Sequence, residues 1–429
     1  MSNKTSNGQN YTIPIIVMIL LFGMISFVTN LASPMGDILK HQFQIPNWQG
    51  TLGVFANFIA YAVMGIPAGN LLQKKGYKKT ALVAVVVGLL GVGIQTLSGV
   101  LGSFGIYLLG AFVAGFSMCL LNTVVNPMLN KLGGGGNKGN QLIQIGGTFN
   151  SLCGTAVIVI TGLLIPSIVE AKISDVFPLM YTAMGVFALA FIVIMLTDIP
   201  ENERQNADKD DTATDKPLTA FPHFILGAIA IFIYVGVEVG IPNVLNKWLQ
   251  NPDLDILREG QNDEAVAGMV AAMYWFLMLV GRLVGGLIGG KVSAKTMLSV
   301  ASCVAAVLTL LAMFVPSTMV KFIAFDGAKG FSVESIPLNA AFLVCIGLCT
   351  SVMWGGIFNL AVEGLGKYTE KASGIFMALV CGGGILPLLQ NAIVDGLGGV
   401  GYLQSYWVIV AGFIYILWYA LRGCRYAKS

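Results

Sequence analysis

Ionisable side chains are rare inside the long apolar stretches of this sequence. Glu238 and Arg282 lie within such stretches, and Asp37, Glu363 and Asp395 stand near the ends of others. A charge inside a bilayer costs about 2.5–3.5 kcal/mol on insertion scales, so each of these residues is a functional candidate. Because burial favours the neutral form of a carboxyl group, Glu238 is a credible proton carrier.

Amide and aromatic side chains form a second set of candidate functional residues. Amides fall at helix-interior positions at Asn122, Asn126, Asn150, Asn359, Gln390 and Asn391, and ring faces are supplied by Tyr274, Trp275 and Trp354. Any one of these residues more often packs helices together than contacts a ligand. As a set, they can offer a small polar ligand hydrogen-bond partners on several helices and an aromatic face.

The composition places these residues in a membrane. The chain has 429 residues, of which 56% are apolar and 10% are charged, and its mean hydropathy is +0.79. Soluble domains carry about 25% charged residues, so an ordinary soluble enzyme is excluded, and disordered chains lack this apolar content. The runs are too long and too continuously apolar for a transmembrane barrel. We therefore predict an all-α polytopic membrane protein in contact with the lipid bilayer.

Other classes of function lack their residues. The net charge of +3 is spread over short loops, which argues against a nucleic-acid partner. The seven cysteines include no C-x-x-C pair and there are two histidines, so we expect no disulfide framework, metal site or cofactor. No nucleophile and base stand in a recognisable arrangement, and we expect no enzyme activity.

The apolar runs predict twelve transmembrane helices in two groups of six. They lie near residues 12–32, 51–72, 80–99, 104–129, 141–166 and 176–197, and near 222–245, 266–290, 295–315, 336–361, 372–394 and 401–421. The first run is too long for a signal peptide and lacks a small-residue cleavage site. A highly charged stretch separates the groups, so we predict a six-helix bundle over 1–197, a linker over 198–220 and a second bundle over 221–429.

Lysine placement and an internal repeat complete the predicted architecture. Most lysines and arginines fall on one side if the N-terminus is inside, which predicts that both termini are cytoplasmic. Residues 69–80 align with residues 285–296, matching Gly69 with Gly285 and Lys75 with Lys291. Both segments join the second and third helices of their half. Two parallel six-helix halves suit a transporter that rocks around a midplane site.

Particular motifs resemble a known family. The segment GIPAGNLLQKKGYKKT (65–80) resembles the Gly-x-Leu-x-Asp-x-x-Gly-x-[Arg/Lys] loop of the major facilitator superfamily, with Gln73 in place of the usual acid. By this resemblance Gly76 and Lys79 belong to a gating loop. MGDILKHQF (35–43), CLLNTVVNPML (119–129), GGTFNSLCG (146–154), IYVGVEVGI (233–241), GRLVGG (281–286), MWGGIFNLAVEGLG (353–366) and GGGILP (382–387) resemble the L-fucose permease and glucose/galactose transporter group.

The resemblance implies secondary active uptake of a sugar or sugar derivative, typically by proton symport, in a bacterial inner membrane and by a functional monomer. Asp37 matches the acid of the group on the first helix, and Asn150 matches its sugar-contacting asparagine. Asn122 stands where the symporters have a glutamate, and Gly147 stands where the fucose permease has a glutamine. Coupling through Asp37, with Glu238 as the second candidate, is expected. The alternatives are sodium coupling, passive transport and, as the least favoured, export of apolar compounds.

Each ionisable residue also has a plainer interpretation. Asp37 lies far enough along the first helix, about 39 Å from Tyr11, to be an interfacial residue. Instead of carrying a proton, Glu238 could hold its helix against a neighbour through an ion pair or a hydrogen bond. Arg282 either reaches the headgroups, braces a gate or contacts an anionic sugar.

Overall fold

The computed structural model describes residues 11–43, 52–164, 172–200, 217–251, 254, 256–257, 263–326 and 330–425. Within these ranges some side chains, including that of Asp37, lie outside the described set. Everything below refers to the described part of the chain.

The N-terminal half is helical throughout its described elements. It contains α1 (Thr12–Phe43), α2 (Leu52–Leu101), α3 (Phe104–Leu132), α4 (Gly136–Leu164), a 3₁₀ turn (Ile173–Val176) and α5 (Phe177–Leu196). Helix α2 would be about 75 Å long if it were straight, more than twice the thickness of a hydrocarbon core. It is divided into two helices at Gly76, where a φ of 81° reverses the chain and a side chain would be strained.

The C-terminal half begins after a 3₁₀ turn (Leu218–Ala220). It contains α6 (Pro222–Leu249), α7 (Asp263–Ile288), α8 (Ala294–Phe314), strands β1 (Met319–Asp326) and β2 (Gly330–Pro337), α9 (Leu338–Thr350), α10 (Met353–Val362), a 3₁₀ turn (Gly366–Tyr368), α11 (Thr369–Leu379), α12 (Gly382–Leu397), a 3₁₀ turn (Gly398–Val400), α13 (Gly401–Gln404), α14 (Tyr406–Trp418) and a π-helical turn (Tyr419–Gly423).

The outer surface of the helices is apolar, as a membrane requires. Ten helical stretches among the described residues are long and apolar enough to cross a bilayer. Large apolar side chains such as Leu196, Leu287 and Val100 are more than two-thirds exposed. A water-soluble protein rarely leaves such residues uncovered over a whole surface, so this is a multi-pass membrane protein.

The prediction of an entirely helical chain was wrong in one segment. Strands β1 and β2 pair in antiparallel fashion, with Phe325 opposite Phe331. The rings of both residues lie close to that of Phe276 on α7, at centroid distances of 5.5 and 5.1 Å. The segment is too short to span a membrane. Cross-strand pairing and this aromatic cluster stabilise a hairpin where the sequence indicated only a long loop.

Two helices of the C-terminal half are interrupted near the centre of the bundle. One break separates α9 from α10 at Ser351, and the other separates α11 from α12 at Val380 and Cys381. The second break directly precedes the Gly382–Gly384 run, which weakens a helix. By contrast, α3 continues through Pro127. Irregular backbone inside a membrane is tolerated where it is buried or lines a cavity, so both breaks indicate a functional region.

The two halves meet through hydrogen bonds at one end of the bundle. We call it the closed end, and it carries the turns at Gly76, 133–135 and 363–368. Five of the described bonds between the halves join Tyr77 to Glu370 (3.4 Å), Ser373 to the carbonyl of Thr123 (3.1 Å), Asn130 to Asn359 (2.6 Å), Gln141 to the carbonyl of Gly286 (3.0 Å) and Gln144 to the carbonyl of Val352 (2.9 Å).

Candidate binding site between the two halves

A cavity of about 280 Å³ lies between the two halves. Six of the residues predicted from the sequence line it: Asn122, Asn150, Glu238, Trp275, Arg282 and Trp354. They come from five different helices, α3, α4, α6, α7 and α10. A site with donors, acceptors and ring faces on several helices can surround a small polar ligand.

Glu238 and Arg282 form an ion pair in the wall of this cavity. One Arg282 nitrogen, Nη2, lies 3.2 Å from Oε1 of Glu238, and each side chain is only 13% exposed. Arg282 therefore does not extend to the lipid headgroups. The pair joins α6 to α7 within the C-terminal half, as expected if Glu238 holds its helix against a neighbour.

The same arginine also reaches into the N-terminal half. Its Nη1 donates to Oγ of Ser151 at 2.7 Å and lies 3.4 Å from the carbonyl oxygen of Gly147. A Cβ atom on Gly147 would lie 3.4 Å from Cδ of Arg282. The absence of a side chain at position 147 therefore leaves the space along which the arginine runs.

Asn150 connects this centre to the first helix. Its Nδ2 donates to the carbonyl oxygen of Phe22 at 2.7 Å, and its Oδ1 lies 3.5 Å from Nη1 of Arg282. The amide thus has a fixed orientation, with its oxygen on the side of the cation. A ligand hydroxyl that meets Asn150 would also meet the charge of Arg282.

Asn122 belongs to a chain of polar contacts under the cavity. Its Nδ2 donates to the hydroxyl of Tyr61 at 2.7 Å. The Nδ2 of Asn126 donates to the backbone carbonyl of Asn122 at 2.9 Å, and Oδ1 of Asn126 accepts the indole N–H of Trp354 at 2.9 Å. This last bond crosses between the halves and fixes the plane of the Trp354 ring.

Two buried tyrosines pack against the indole rings that line the cavity. The ring of Trp275 stands edge-on to Tyr274 at a centroid distance of 5.4 Å, and that of Trp354 lies 6.3 Å from Tyr234. Tyr274 shares a 3.0 Å hydrogen bond with Thr350. Both tyrosines are fully buried, so they act as rigid supports for the indoles that line the cavity.

Several predicted site residues lie elsewhere. Asn359 bonds to Asn130 toward the closed end, and Gln390 is fully buried beside Gly240. Gly76 turns the chain at the closed end, and the exposed Lys79 follows it. The backbone of Asp37 belongs to α1, and its side chain falls outside the described residues.

Eight further polar side chains of the cavity were not predicted from the sequence. These are Ser26, Thr29, Asn30, Tyr61, Gln144, Ser151, Thr155 and Ser351. Serine and threonine are common in membrane helices, where they often bond to their own backbone, as Thr29 does to the carbonyl of Ile25 at 2.8 Å. The spacing of Ser26, Thr29 and Asn30 on one helix face was the available signal.

The described residues contain no group of three or more histidine, cysteine or acidic side chains that could hold a metal ion. Their cysteines are all free thiols. The polar side chains and indole rings that line the cavity can offer a ligand hydrogen bonds and ring contacts.

Comparison with known proteins defines the class. Residues 15–421 match the Major Facilitator Superfamily, so the chain belongs to this family of transporters, which are not enzymes. The fold agrees with a crystal structure of the transporter FucP in the outward conformation. The TM-score is 0.81 at 18% identity, and the match covers 97% of this chain and 100% of that one.

Among individual proteins, the chain is similar to a glucose/galactose transporter of Brucella abortus. The two are 29% identical over 99% of this chain and 97% of the relative. It is also similar to the L-fucose-proton symporter of Escherichia coli K12, with 22% identity over 93% of this chain and 91% of that one. A structure of the proton:xylose symporter XylE has a TM-score of 0.68 at 13% identity and covers 95% of this chain.

Proposed function

We propose that the protein is a secondary active transporter that imports a sugar or sugar derivative by proton symport and alternating access. The observation that carries this proposal is the cavity between the halves, which combines amides, hydroxyls, two indole faces and one ion pair. Its volume of about 280 Å³ lies at the small end of ligand pockets and suits a monosaccharide. Relatives that transport glucose, galactose or fucose support the same substrate class.

In this proposal the chain forms twelve spans with both termini in the cytoplasm of a bacterial cell. Ten described helical stretches are long and apolar enough to cross a bilayer. One of them lies within α2, which Gly76 divides into two helices, and α4 would be the twelfth span. The six-helix halves comprise 1–197 and 221–429, the linker comprises 198–220, and a monomer suffices because the cavity is built within one chain. The closed end carries lysine-rich turns, so the described state faces outward.

The proposed sugar contacts are Asn122, Asn150, Trp275 and Trp354, with Asp37 from the first helix. Asn126, Asn359 and Gln390 complete the proposed polar set, and Gly76, Lys79 and Arg282 take part in gating. Asp37 and Glu238 are the candidate proton carriers. Asn122 cannot titrate, so a passive facilitator or a sodium symporter is the alternative that this position favours.

Counterflow in proteoliposomes tests the proposal. Vesicles preloaded with unlabelled sugar are diluted into labelled D-glucose, D-galactose or L-fucose, and saturable exchange with at least one of them is expected. An inward proton gradient should then raise the internal concentration above the external one. A plateau at the external concentration under proton and sodium gradients indicates a facilitator. Efflux of apolar dyes without any exchange of these sugars contradicts the proposed function.

A further inference from the structure

The guanidinium of Arg282 is shared between the two halves of the protein. Its Nη2 faces the carboxylate of Glu238 on α6, and its Nη1 faces Ser151 and Asn150 on α4. An arginine stays charged at every physiological pH and donates hydrogen bonds without accepting any. Because its own charge is fixed, the balance between its partners shifts when a neighbouring group titrates, when a ligand supplies an oxygen or when the two halves move.

Glu238 is the titratable group in direct contact with that cation. The described groups that act on it from the surrounding helices are Arg282 and Tyr274 on α7, together with Tyr234, one turn earlier on its own helix. The tyrosines are fully buried, and a phenol group carries no charge near neutral pH. Arg282 thus provides the one described positive charge that compensates the carboxylate.

We propose that Glu238 and Arg282 form a proton-operated switch for sugar affinity, which rests on the proposed function of sugar import. When Glu238 is charged, its carboxylate occupies Nη2 of Arg282. When a proton from the open side binds to the carboxylate, the ion pair is lost and Nη2 becomes free to donate to a sugar hydroxyl. The proton stays on Glu238 while sugar is bound, and release of sugar lets the carboxylate lose its proton and pair with Arg282 again.

The charge balance of the cavity explains how a bound proton strengthens the binding of a hydroxyl-rich ligand. With Glu238 ionised, the pair has no net charge, and with Glu238 protonated a single positive charge remains beside Asn150 and Ser151. Hydroxyl oxygens on a sugar accept hydrogen bonds from this cation, and such charge-assisted bonds are stronger than neutral ones. Sugar and proton therefore bind with positive cooperativity, which is the thermodynamic requirement of symport.

Gly147 leaves room beside the side chain of Arg282. The arginine passes 3.4 Å from the place where a Cβ at position 147 would stand, so a glutamine here would compete with it for space. The switch also gives this chain a titratable carboxyl, although position 122, where the symporters have a glutamate, is an asparagine that bonds to Tyr61.

The test compares Glu238→Gln with Glu334→Gln, a matched change on strand β2, outside the lining of the cavity. Counterflow is measured from pH 5.5 to 8.5 with whichever of D-glucose, D-galactose and L-fucose the unchanged protein exchanges. The unchanged protein and Glu334→Gln should lose affinity as the pH rises, by roughly tenfold across the range. Glu238→Gln should keep the low half-saturation concentration of acidic pH throughout and should show no sugar-dependent alkalinisation of the medium.

Gly147→Gln gives a second test that keeps both charged groups. It should raise the half-saturation concentration and flatten its pH dependence, whereas Gly185→Gln, at a site with open space, should change neither. If Glu238→Gln or Gly147→Gln retains the alkalinisation and pH dependence of its control, the switch is wrong, although the transporter itself stands. If the unchanged protein exchanges none of the three sugars, the proposed function fails instead.

Discussion

Gly69 of the N-terminal half and Gly374 of the C-terminal half touch across the closed end of the bundle. A Cβ atom on Gly374 would lie 2.6 Å from Cα of Gly69 and 2.5 Å from the carbonyl oxygen of Gly65. A Cβ on Gly65 would in turn collide with the backbone of Ala378. Two small-residue faces, each with a spacing of four, therefore allow α2 and α11 to pack backbone to backbone.

Gly374→Ala should push the closed end apart, because neither backbone can yield within a packed helix pair. We expect the outward-facing state to lose about 1–3 kcal/mol, the usual cost of overpacking. The measurement is alkylation of a single cysteine placed at Thr123, which should become faster in this variant. Gly185→Ala, with nothing near its Cβ, is the matched control. Equal rates in the two variants would show that this contact does not hold the closed end.

Tyr61→Phe removes the acceptor of the Asn122 amide. Both side chains are buried, and the donor that is left without a partner costs about 1–3 kcal/mol. We expect a higher half-saturation concentration in counterflow, because the amide beneath the ligand loses its fixed orientation. Tyr181→Phe changes an exposed tyrosine of α5 and should have no effect. If both variants match the unchanged protein, the position of Asn122 does not influence the ligand.

Asn150→Ala removes a proposed sugar contact and also its bond to the carbonyl of Phe22. Loss of a buried hydroxyl partner costs about 1–3 kcal/mol, so the half-saturation concentration should rise by about 5-fold to 150-fold. Counterflow over a range of sugar concentrations measures it. Asn243→Ala alters an exposed asparagine of α6 and serves as the control. An unchanged half-saturation concentration would place Asn150 outside the site.

The charged and aromatic members of the cavity were predictable because a membrane makes them costly. Glu238 and Arg282 stood out for this reason alone, and Trp275, Trp354, Asn122 and Asn150 joined them as polar or ring-bearing residues within apolar runs. What the sequence could not provide was distance. Asn122 and Gln390 are both amides within apolar runs. Asn122 lines the cavity, whereas Gln390 is fully buried beside Gly240 of α6.

The elements of the fold were also predictable only in part. Apolar length predicted the order of the helices well, because backbone hydrogen bonds in lipid must be satisfied within each segment. The interruption between α9 and α10 at Ser351 was not predicted, since it depends on packing against α4 through Gln144 and the carbonyl of Val352. The β-hairpin was also missed. Its stability comes from contacts of Phe325 and Phe331 with Phe276, which lies far away in sequence.

Asp37→Asn tests the carboxylate of the first helix, whose assignment rests on family resemblance. An asparagine keeps the size of the side chain and removes its charge, so helix packing should survive while coupling or hydroxyl recognition is lost. We expect the variant to abolish concentrative uptake, whereas Asp198→Asn, at an exposed position at the start of the linker, should accumulate sugar normally. Accumulation is measured in proteoliposomes under an inward proton gradient, with the reconstituted amount of each variant matched. If Asp37→Asn accumulates sugar as well as its control does, Asp37 is an interfacial residue, and Glu238 is left as the candidate proton carrier of the cavity.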